Sequence, residues 1–496
     1  MSFVYAERAP LEQPASAVDT ATAATAATAA TAAGVAGIDS TADEAASTGS
    51  AGTAAVACTV KRPAILFNRW QEDWSVLANP CVAHEPLDSL KYMPLGNDPD
   101  NYLSLGMNLR ERFEMNNAAL FGLGKGQDDS YVIQRTEIHA DAHFEQHLQI
   151  FVQLEDARPF GKNAVTPVDR DVLDLEQAFA TYTGPLAGGL FRFRVGRQEM
   201  GFDLQRFVSV RDGPNVRQAF DALWTEWAMQ RWRVMAFASQ PVQYRDDQPF
   251  DDVSNRHFTF SGIRVERHDV GPGDLSAYYA SFNRSNGQYL DAAGTEHREV
   301  FDVRYAGKRQ PLDWDAESML QTGRVGADTI QAWAFGSIAG YTLAALPGAP
   351  RVALQIDGAS GDRHPGDGRL GTFNALFPNG YYFTLAGYTG YSNVVHLKPS
   401  LTFKPTQAVT VLAAVGFQWR ETTGDAVYQQ GGVAVPNTAG HGGLWTGMYT
   451  QLRVDWAVNA NVSAAVEAVH FQIADSLREL GAHNADYVGV EGKFGW

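Results

Sequence analysis

Leu103-Ser104-Leu105-Gly106-Met107-Asn108-Leu109-Arg110 places leucine or methionine at every odd position and Ser104, Asn108 and Arg110 among the even ones. A period of two is the pattern of a β-strand, because successive side chains point to opposite faces. One face here is wholly apolar and the other ends on an arginine, so the strand has an oily side and a wet side. The same reading holds over 132–144, with Val132, Ile138, Ala140, Ala142 and Phe144 on one face and Arg135, Glu137, His139, Asp141 and His143 on the other. It recurs at 148–155, 190–198, 312–322, 408–420, 447–456 and 486–496, each bounded by Gly, Pro, Asn or Asp.

The chain therefore reads as all-β, and two architectures compete for it. A soluble β-sandwich alternates in the same way. A transmembrane antiparallel β-barrel is favoured because several outward sets carry no charge over a membrane-spanning length. Phe144–Leu148 and Ala457–Val462 look like short hairpin turns, whereas 361–393 and 421–445 are long Gly-rich connections. Short turns at one end and long loops at the other belong to outer-membrane barrels, and counting segments gives about eighteen strands. The last strand sets Val488, Val490, Phe494 and Trp496 on one face and ends the chain on an aromatic residue, as bacterial barrels commonly do.

Composition agrees. The 496 residues include 47 Gly, 11 Trp, 18 Tyr and 27 Phe, which suits turns and aromatic girdles. With 45% hydrophobic and 19% charged residues the chain has enough apolar matter for a core. A net charge of −17 repels a phosphate backbone, and no basic run offsets it, which excludes a nucleic-acid partner. No apolar run reaches the roughly 18 residues a membrane helix needs, so only a closed barrel could span a bilayer. Cys58 and Cys81 form no C-x-x-C pair, which removes the zinc reading; a single disulfide suits an exterior compartment.

Three regions follow. Residues 1–60 are Ala/Thr/Ser/Gly-rich, with six acids against Arg8, and read as a disordered tail. That stretch shows neither a basic n-region nor a leucine-rich apolar core of a secretion signal, and the lipoprotein-like Ala55-Val56-Ala57-Cys58 has no apolar segment before it. A plain or disulfide-bonded Cys58 is the preferred reading. Residues 61–101 set Phe67, Trp70, Trp74 and Tyr92 among prolines and are expected to pack against one barrel mouth, on the periplasmic side. The barrel occupies 102–496.

On the wet faces stand Arg110, Arg112, Arg135, Arg192, Arg194, Arg420, Arg453 and Lys493, mixed with Glu137, Asp141, Glu155, Glu176, Asp455 and Glu491. Arginine offers paired donors that fit carboxylates, so a ladder of them would ease the passage of an anion. The alternative, weighed equally for any one residue, is that these arginines pair with acids across the wall. From Gly196 to Arg217 the chain passes through Arg206 and Arg211-Asp212-Gly213-Pro214-Asn215, too turn-like for a strand: it either folds inward to narrow the pore or forms an exposed loop. The candidate pathway residues are Arg110, Arg135, Arg192, Arg194, Arg197, Arg211, Asp212 and Arg453. Asp357 to Asp367 holds closely spaced carboxylates but lacks the order of a calcium-binding loop and reads as a solvated turn. His139 and His143 have no third ligand at a metal-binding spacing. No catalytic grammar stands out, so no metal, no cofactor and no enzymatic activity are expected.

Several stretches together resemble the bacterial alginate-export family of outer-membrane barrels: 62–70, 88–92, Leu109-Arg-Glu-Arg-Phe113, Gln153-Leu-Glu-Asp-Ala-Arg158, Gly196-Arg-Gln198, Arg211-Asp-Gly-Pro-Asn215 and 361–366. The resemblance runs from about Arg62 to Trp496. It implies an eighteen-stranded barrel with an electropositive constriction that passes a secreted uronate polymer, with loops as gates, and it carries pore roles onto Arg110, Arg135 and Arg197, with Asp212 as their constriction partner. The chain departs from the alginate exporter near 376–391, where Phe377-Pro-Asn-Gly-Tyr-Tyr382 brings little positive charge, and at Glu467, a lumen acid where that exporter is cationic.

The expected function is an outer-membrane channel passing an anionic, alginate-like polysaccharide or a related solute, with periplasmic secretion components as candidate partners beside the membrane lipid. A porin-like uptake channel for small carboxylates or sugars is the second reading. An outer-membrane enzyme with its site in the barrel mouth is the third.

Overall fold

The computed structural model describes residues 61–124, 128–246 and 248–496. The stretch read as a tail, 1–60, and Cys58 with it, lie outside the described residues; Cys81 is disulfide-bonded.

Eighteen strands make the wall: β1 (Tyr102–Asn116), β2 (Asp129–Phe144), β3 (Leu148–Phe160), β4 (Asp171–Leu186), β5 (Gly189–Glu199), β6 (Ala219–Met229), β7 (Trp232–Gln243), β8 (Phe258–Val270), β9 (Gly273–Gln288), β10 (Ala293–Arg309), β11 (Leu312–Val325), β12 (Asp328–Thr342), β13 (Arg351–Ala359), β14 (Val394–Phe403), β15 (Val409–Trp419), β16 (Trp445–Ala457), β17 (Val462–Ile473) and β18 (Ala485–Gly495). Each pairs antiparallel with the next. β18 then returns to β1, from Asn108 opposite Gly495 to Asn116 opposite Tyr487. Closure leaves no unpaired edge, which is the condition for a sheet to sit in hydrocarbon.

The alternation read in the sequence decides the faces. In β1, Tyr102, Ser104, Arg110, Arg112 and Glu114 are buried inside, while Phe113 is exposed outside. Around the ring Ile138, Leu223, Val303, Leu320, Val352 and Val466 all stand outward and exposed. An apolar belt of that extent is not left bare in water, and lipid is the solvent that covers it. Trp496 departs from its expected outer position: it follows the last ladder pair and lies under the Lys91 ammonium, 4.6 Å from its ring centre.

Connections at one end are short, 145–147, 187–188, 230–231, 271–272, 310–311, 343–350, 404–408 and 458–461. At the other end most are long, and two of them, 200–218 and 360–393, carry too many apolar residues to remain in solvent. Phe202, Phe207, Val208 and Val210 from the first, and Phe373, Phe377, Tyr382, Phe383 and Tyr391 from the second, are buried inside the barrel. Burying a side chain of this kind yields about 1.5–3 kcal/mol, against about 1–2 kcal/mol for ordering one residue's backbone, so these residues draw the loops inward. The two meet at a bridge between Val208 and Phe377.

The segment before β1 closes on the short-turn end. The Arg69 guanidinium donates to Asn108 Oδ1 at 2.6 Å and to the Trp496 carbonyl at 2.9 Å, and pairs with Glu72 at 2.7 Å. It thereby ties the segment to the seam between β1 and β18. Lys91 is wholly buried, its ammonium 5.1 Å over Trp74 as well as over Trp496.

Candidate solute pathway

Four charged residues staple the 200–218 loop to the wall at four places. Asp203 accepts from Arg264 of β8 at 2.6 Å through both oxygens and from Arg304 of β10 at 2.8 Å. Arg206, fully buried, meets Asp315 at 2.6 Å and Glu317 at 2.7 Å on β11. Asp212 pairs with Arg135 of β2, and with Lys493 of β18 at 3.2 Å. Arg217 reaches Glu137 at 3.0 Å and Glu199 at 2.5 Å. Charges this deep cost several kcal/mol each to desolvate, and pairing is what makes them tolerable. The second loop is held by Asp357, which accepts from Tyr382 at 2.7 Å and Tyr391 at 3.2 Å and faces His396 at 3.1 Å.

The eight pathway candidates separate into four groups. Arg110 donates to the carbonyls of Asp212 at 2.5 Å and Gly213 at 2.8 Å and pairs with Glu491 at 3.1 Å. Together with Arg135 it grips the Asp212–Asn215 turn, whose Gly213 is required because a Cβ there would run into the Tyr381 ring. Arg453 is taken up by Glu467 and by Asp455 at 2.7 Å. Glu467 is also bound by Arg112 at 2.6 Å, so the acid that departs from the exporter bridges two arginines. Wall pairing, one of the two alternatives for these arginines, is thus the arrangement found for Arg110, Arg135 and Arg453.

Arg197 is a correction. Val195 and Leu223 point outward, and Arg197 and its cross-strand partner Asp221 share their parity. The pair, 3.0 Å apart, therefore stands on the outer side of the wall near the long-loop end and does not face the lumen. Arg192, Arg194 and Gln198 of β5 look inward, and so does Glu199 where the strand ends and meets Arg217. A pore role for Arg197 fails by one residue of register.

Arg192, Arg194 and Arg211 border open space. Arg192 stands 3.6 Å from Glu226. Arg194 has no ion pair among the described residues: it bonds Thr181 at 3.1 Å and lies over the rings of Trp70 at 3.7 Å and Phe179 at 4.5 Å. Both line a small cavity of about 60 Å³ toward the short-turn end. Arg211 lines a cavity of about 620 Å³ toward the long-loop end. Among the described residues its only charged neighbour there is Arg284, which is already paired with Glu296 at 2.6 Å, and none of the described aspartates or glutamates lines this space. No carboxylate among the described residues pairs with Arg211, and burial, opposed only by Tyr244, lowers its pKa from the ordinary value. A guanidinium nevertheless stays charged. Phe202, Phe207, Phe377 and Tyr382 pack in the layer between the two cavities.

The carboxylates of 357–367 are spent locally. Asp362 accepts the amides of His364 at 3.0 Å and Gly371 at 2.8 Å, and Asp367 that of Arg369 at 2.9 Å. His143 pairs with Asp141 at 3.0 Å, and His139 stacks on Phe151 at 5.5 Å. The wall partners Arg264 and Arg304, and the His396 site, escaped the sequence reading. The two arginines occupy inward positions of alternating strands, a signal that was available; the His396 partners come from β13 and β16, which sequence distance hides.

A closed ring of eighteen antiparallel strands, oily outside and crossed inside by charged loops, is an outer-membrane channel barrel. The sequence pattern of alginate export proteins matches residues 101–491, and the chain belongs to that family. Its fold is similar to a BenF-like porin from Pseudomonas fluorescens Pf-5, with a TM-score of 0.54 and 10% identity over 79% of this chain and 98% of the porin. It is similar to OccAB1 of Acinetobacter baumannii (TM-score 0.53, 10% identity, 82% of this chain and 99% of that one). It is also similar to OccK2 (OpdF) of Pseudomonas aeruginosa in complex with glucuronate (TM-score 0.52, 9% identity, 79% and 97%). No curated protein matches the sequence. Family and fold place the chain in the bacterial outer membrane, with its short turns on the periplasmic side.

Proposed function

We propose that this channel takes a carboxylate-bearing solute, a uronate or uronate oligomer, and that Arg211 is its first cationic contact on the long-loop side. The observation that carries the reading is the 620 Å³ cavity, whose lining among the described residues holds a guanidinium without an ion pair and no acid, in a chain of net charge −17. Arg211 also keeps a left-handed backbone, φ 56°. That conformation costs a non-glycine residue of order 1–3 kcal/mol and recurs where function needs it. Arg194, above the periplasmic cavity, is the second cation of the route, and the aromatic layer between them must part for passage. The glucuronate bound by OccK2 has the matching chemistry. Selectivity then comes from pore width and lumen charge, and no bond is made or broken.

The cavity's size favours a second reading, in which the solute is a small carboxylate taken up singly. Planar-bilayer recordings test both. Anion-preferring conductance that oligouronates block, with block weakened at least tenfold in Arg211→Gln, supports the first. Block by glucuronate and not by oligomers supports the second. Cation preference, or block that Arg211→Gln leaves unchanged, overturns the role of Arg211.

A further inference from the structure

Asp171 and Asp174 at the start of β4 and Asp252 in the connection 244–257 each bring a carboxylate oxygen within 4.8 Å of the others. β4 enters the sheet through a register shift opposite Glu155–Ala157, and Leu173 takes a left-handed backbone, φ 42°. The shift turns two aspartates three residues apart toward one point at the extracellular rim. Three like charges at that distance repel strongly unless something sits among them.

The surrounding groups do not neutralise them. Asp174 accepts the amides of Asp252 at 3.1 Å and Leu175 at 2.6 Å, and Asp252 accepts that of Arg245 at 2.8 Å. Of the cations beside the cluster, Arg197 gives its fork to Asp221 and stays 4.0 Å from Asp174, and Arg158, beside Asp171, is paired with Asp156 at 2.5 Å. Asp171 is 1% exposed, and one of its carboxylate oxygens is buried with no hydrogen-bond partner. Asp251 beside it has a buried unpartnered oxygen of its own. A buried carboxylate oxygen without a donor is an acceptor lacking its ligand.

The geometry points to a divalent-cation site formed by Asp171, Asp174 and Asp252, with Asp251 as a further oxygen donor. Hard carboxylate oxygens alone, with no histidine or cysteine, select calcium over transition metals. The bound ion would tie the start of β4 to the 244–257 connection and fix that part of the rim. No metal centre was expected from the sequence, because the donors come from two stretches about eighty residues apart and follow no loop grammar.

The purified full chain in detergent micelles, titrated calorimetrically with calcium chloride, tests this. The expected result is one calcium per barrel, with a Kd on the order of 10⁻⁴ M as in extracellular calcium modules, and a melting temperature higher in calcium than in EDTA. An Asp171→Asn, Asp252→Asn variant should bind at least tenfold more weakly and lose the melting shift. In EDTA it should melt no lower than the wild type, because its like-charge repulsion is relieved. Asp252→Asn alone, which alters only a connection, carries the same test if the double variant does not insert. Asp367→Asn, on another loop, should change nothing. A wild type that binds no calcium, or an Asp171/Asp252 variant that keeps the shift, overturns the site.

Discussion

Asp212 shows how much one side chain can be asked to hold. Burial alone would raise its pKa, but Lys493, Arg135 and Arg110 keep the carboxyl well below the usual range. A carboxylate whose pKa is depressed on folding contributes stability above its unfolded pKa and loses it only as pH falls through the lower, folded value. The turn it anchors should therefore stay docked through mild acid. Asp212→Asn removes that charge and leaves Arg135 and Lys493 facing each other. Breaking a buried pair on one side costs about 3–5 kcal/mol, so the variant should unfold at lower denaturant and show a larger, noisier conductance. Arg206→Gln, which strands Glu317 and leaves Asp315 to Arg304 alone, should cost a similar amount. If denaturant unfolding in micelles shows either variant within about 0.5 kcal/mol of wild type, the size of an ordinary surface substitution, the staples are not what holds the loop.

At the scale of elements, the segment around the helical turn Asp88–Lys91 couples its docking to pH. Burial, reinforced by Arg69 and Arg62, brings the Lys91 ammonium down to about 7 from its ordinary 10.5, against the opposing charges of Glu72 and Asp88. From about pH 7 to 10.5 the docked segment gives up a proton that the detached segment keeps, so docking strengthens as pH rises through that window and is weakest below it. Protection of the amides of residues 62–94, with exchange rates taken relative to the intrinsic base-catalysed rate at each pH, should accordingly be weaker at pH 6 than at pH 9 in the wild type and equal at both in Lys91→Met; equal protection in the wild type would refute the assignment. This segment also marks the limit of what was legible. The strands could be read because each needs only its own parity, and 103–110 or 132–144 declare theirs locally. The inward loops were half legible: the turn chemistry of Arg211–Asn215 showed that the sheet stops, but the partners of Asp203 and Arg206 lie on β8, β10 and β11. Family likeness gives Arg197 a pore role, but its parity differs from that of Arg192 and Arg194 on the same strand, which turns it away from the lumen. The rim aspartates were invisible because a register shift, unlike an alternation, leaves no periodic trace.

For the molecule as a whole, opposite rules govern the two faces of the same wall. Leu320 is 59% exposed on the outer face of β11, while its neighbours Met319 and Gln321 are wholly buried inside. Its cross-strand neighbours Phe301 and Trp333 are likewise exposed, so the position lies within the belt and away from either rim. A lipid-facing arginine near mid-bilayer costs about 2–4 kcal/mol, whereas on an exposed surface of a soluble sandwich the same change would be nearly neutral. Leu320→Arg should therefore lower the unfolding free energy in liposomes by that amount and leave ion selectivity untouched, because the new charge never meets the lumen. Arg211→Gln should do the reverse, shifting selectivity at little cost in stability, because its guanidinium has no ion partner to strand. Guanidinium unfolding in lipid, run beside bilayer recordings on the same two variants, separates the roles. A selectivity change from Leu320→Arg would mean that the wall is not closed at β11, and a stability loss above about 2 kcal/mol from Arg211→Gln would make that arginine a structural staple like Arg206.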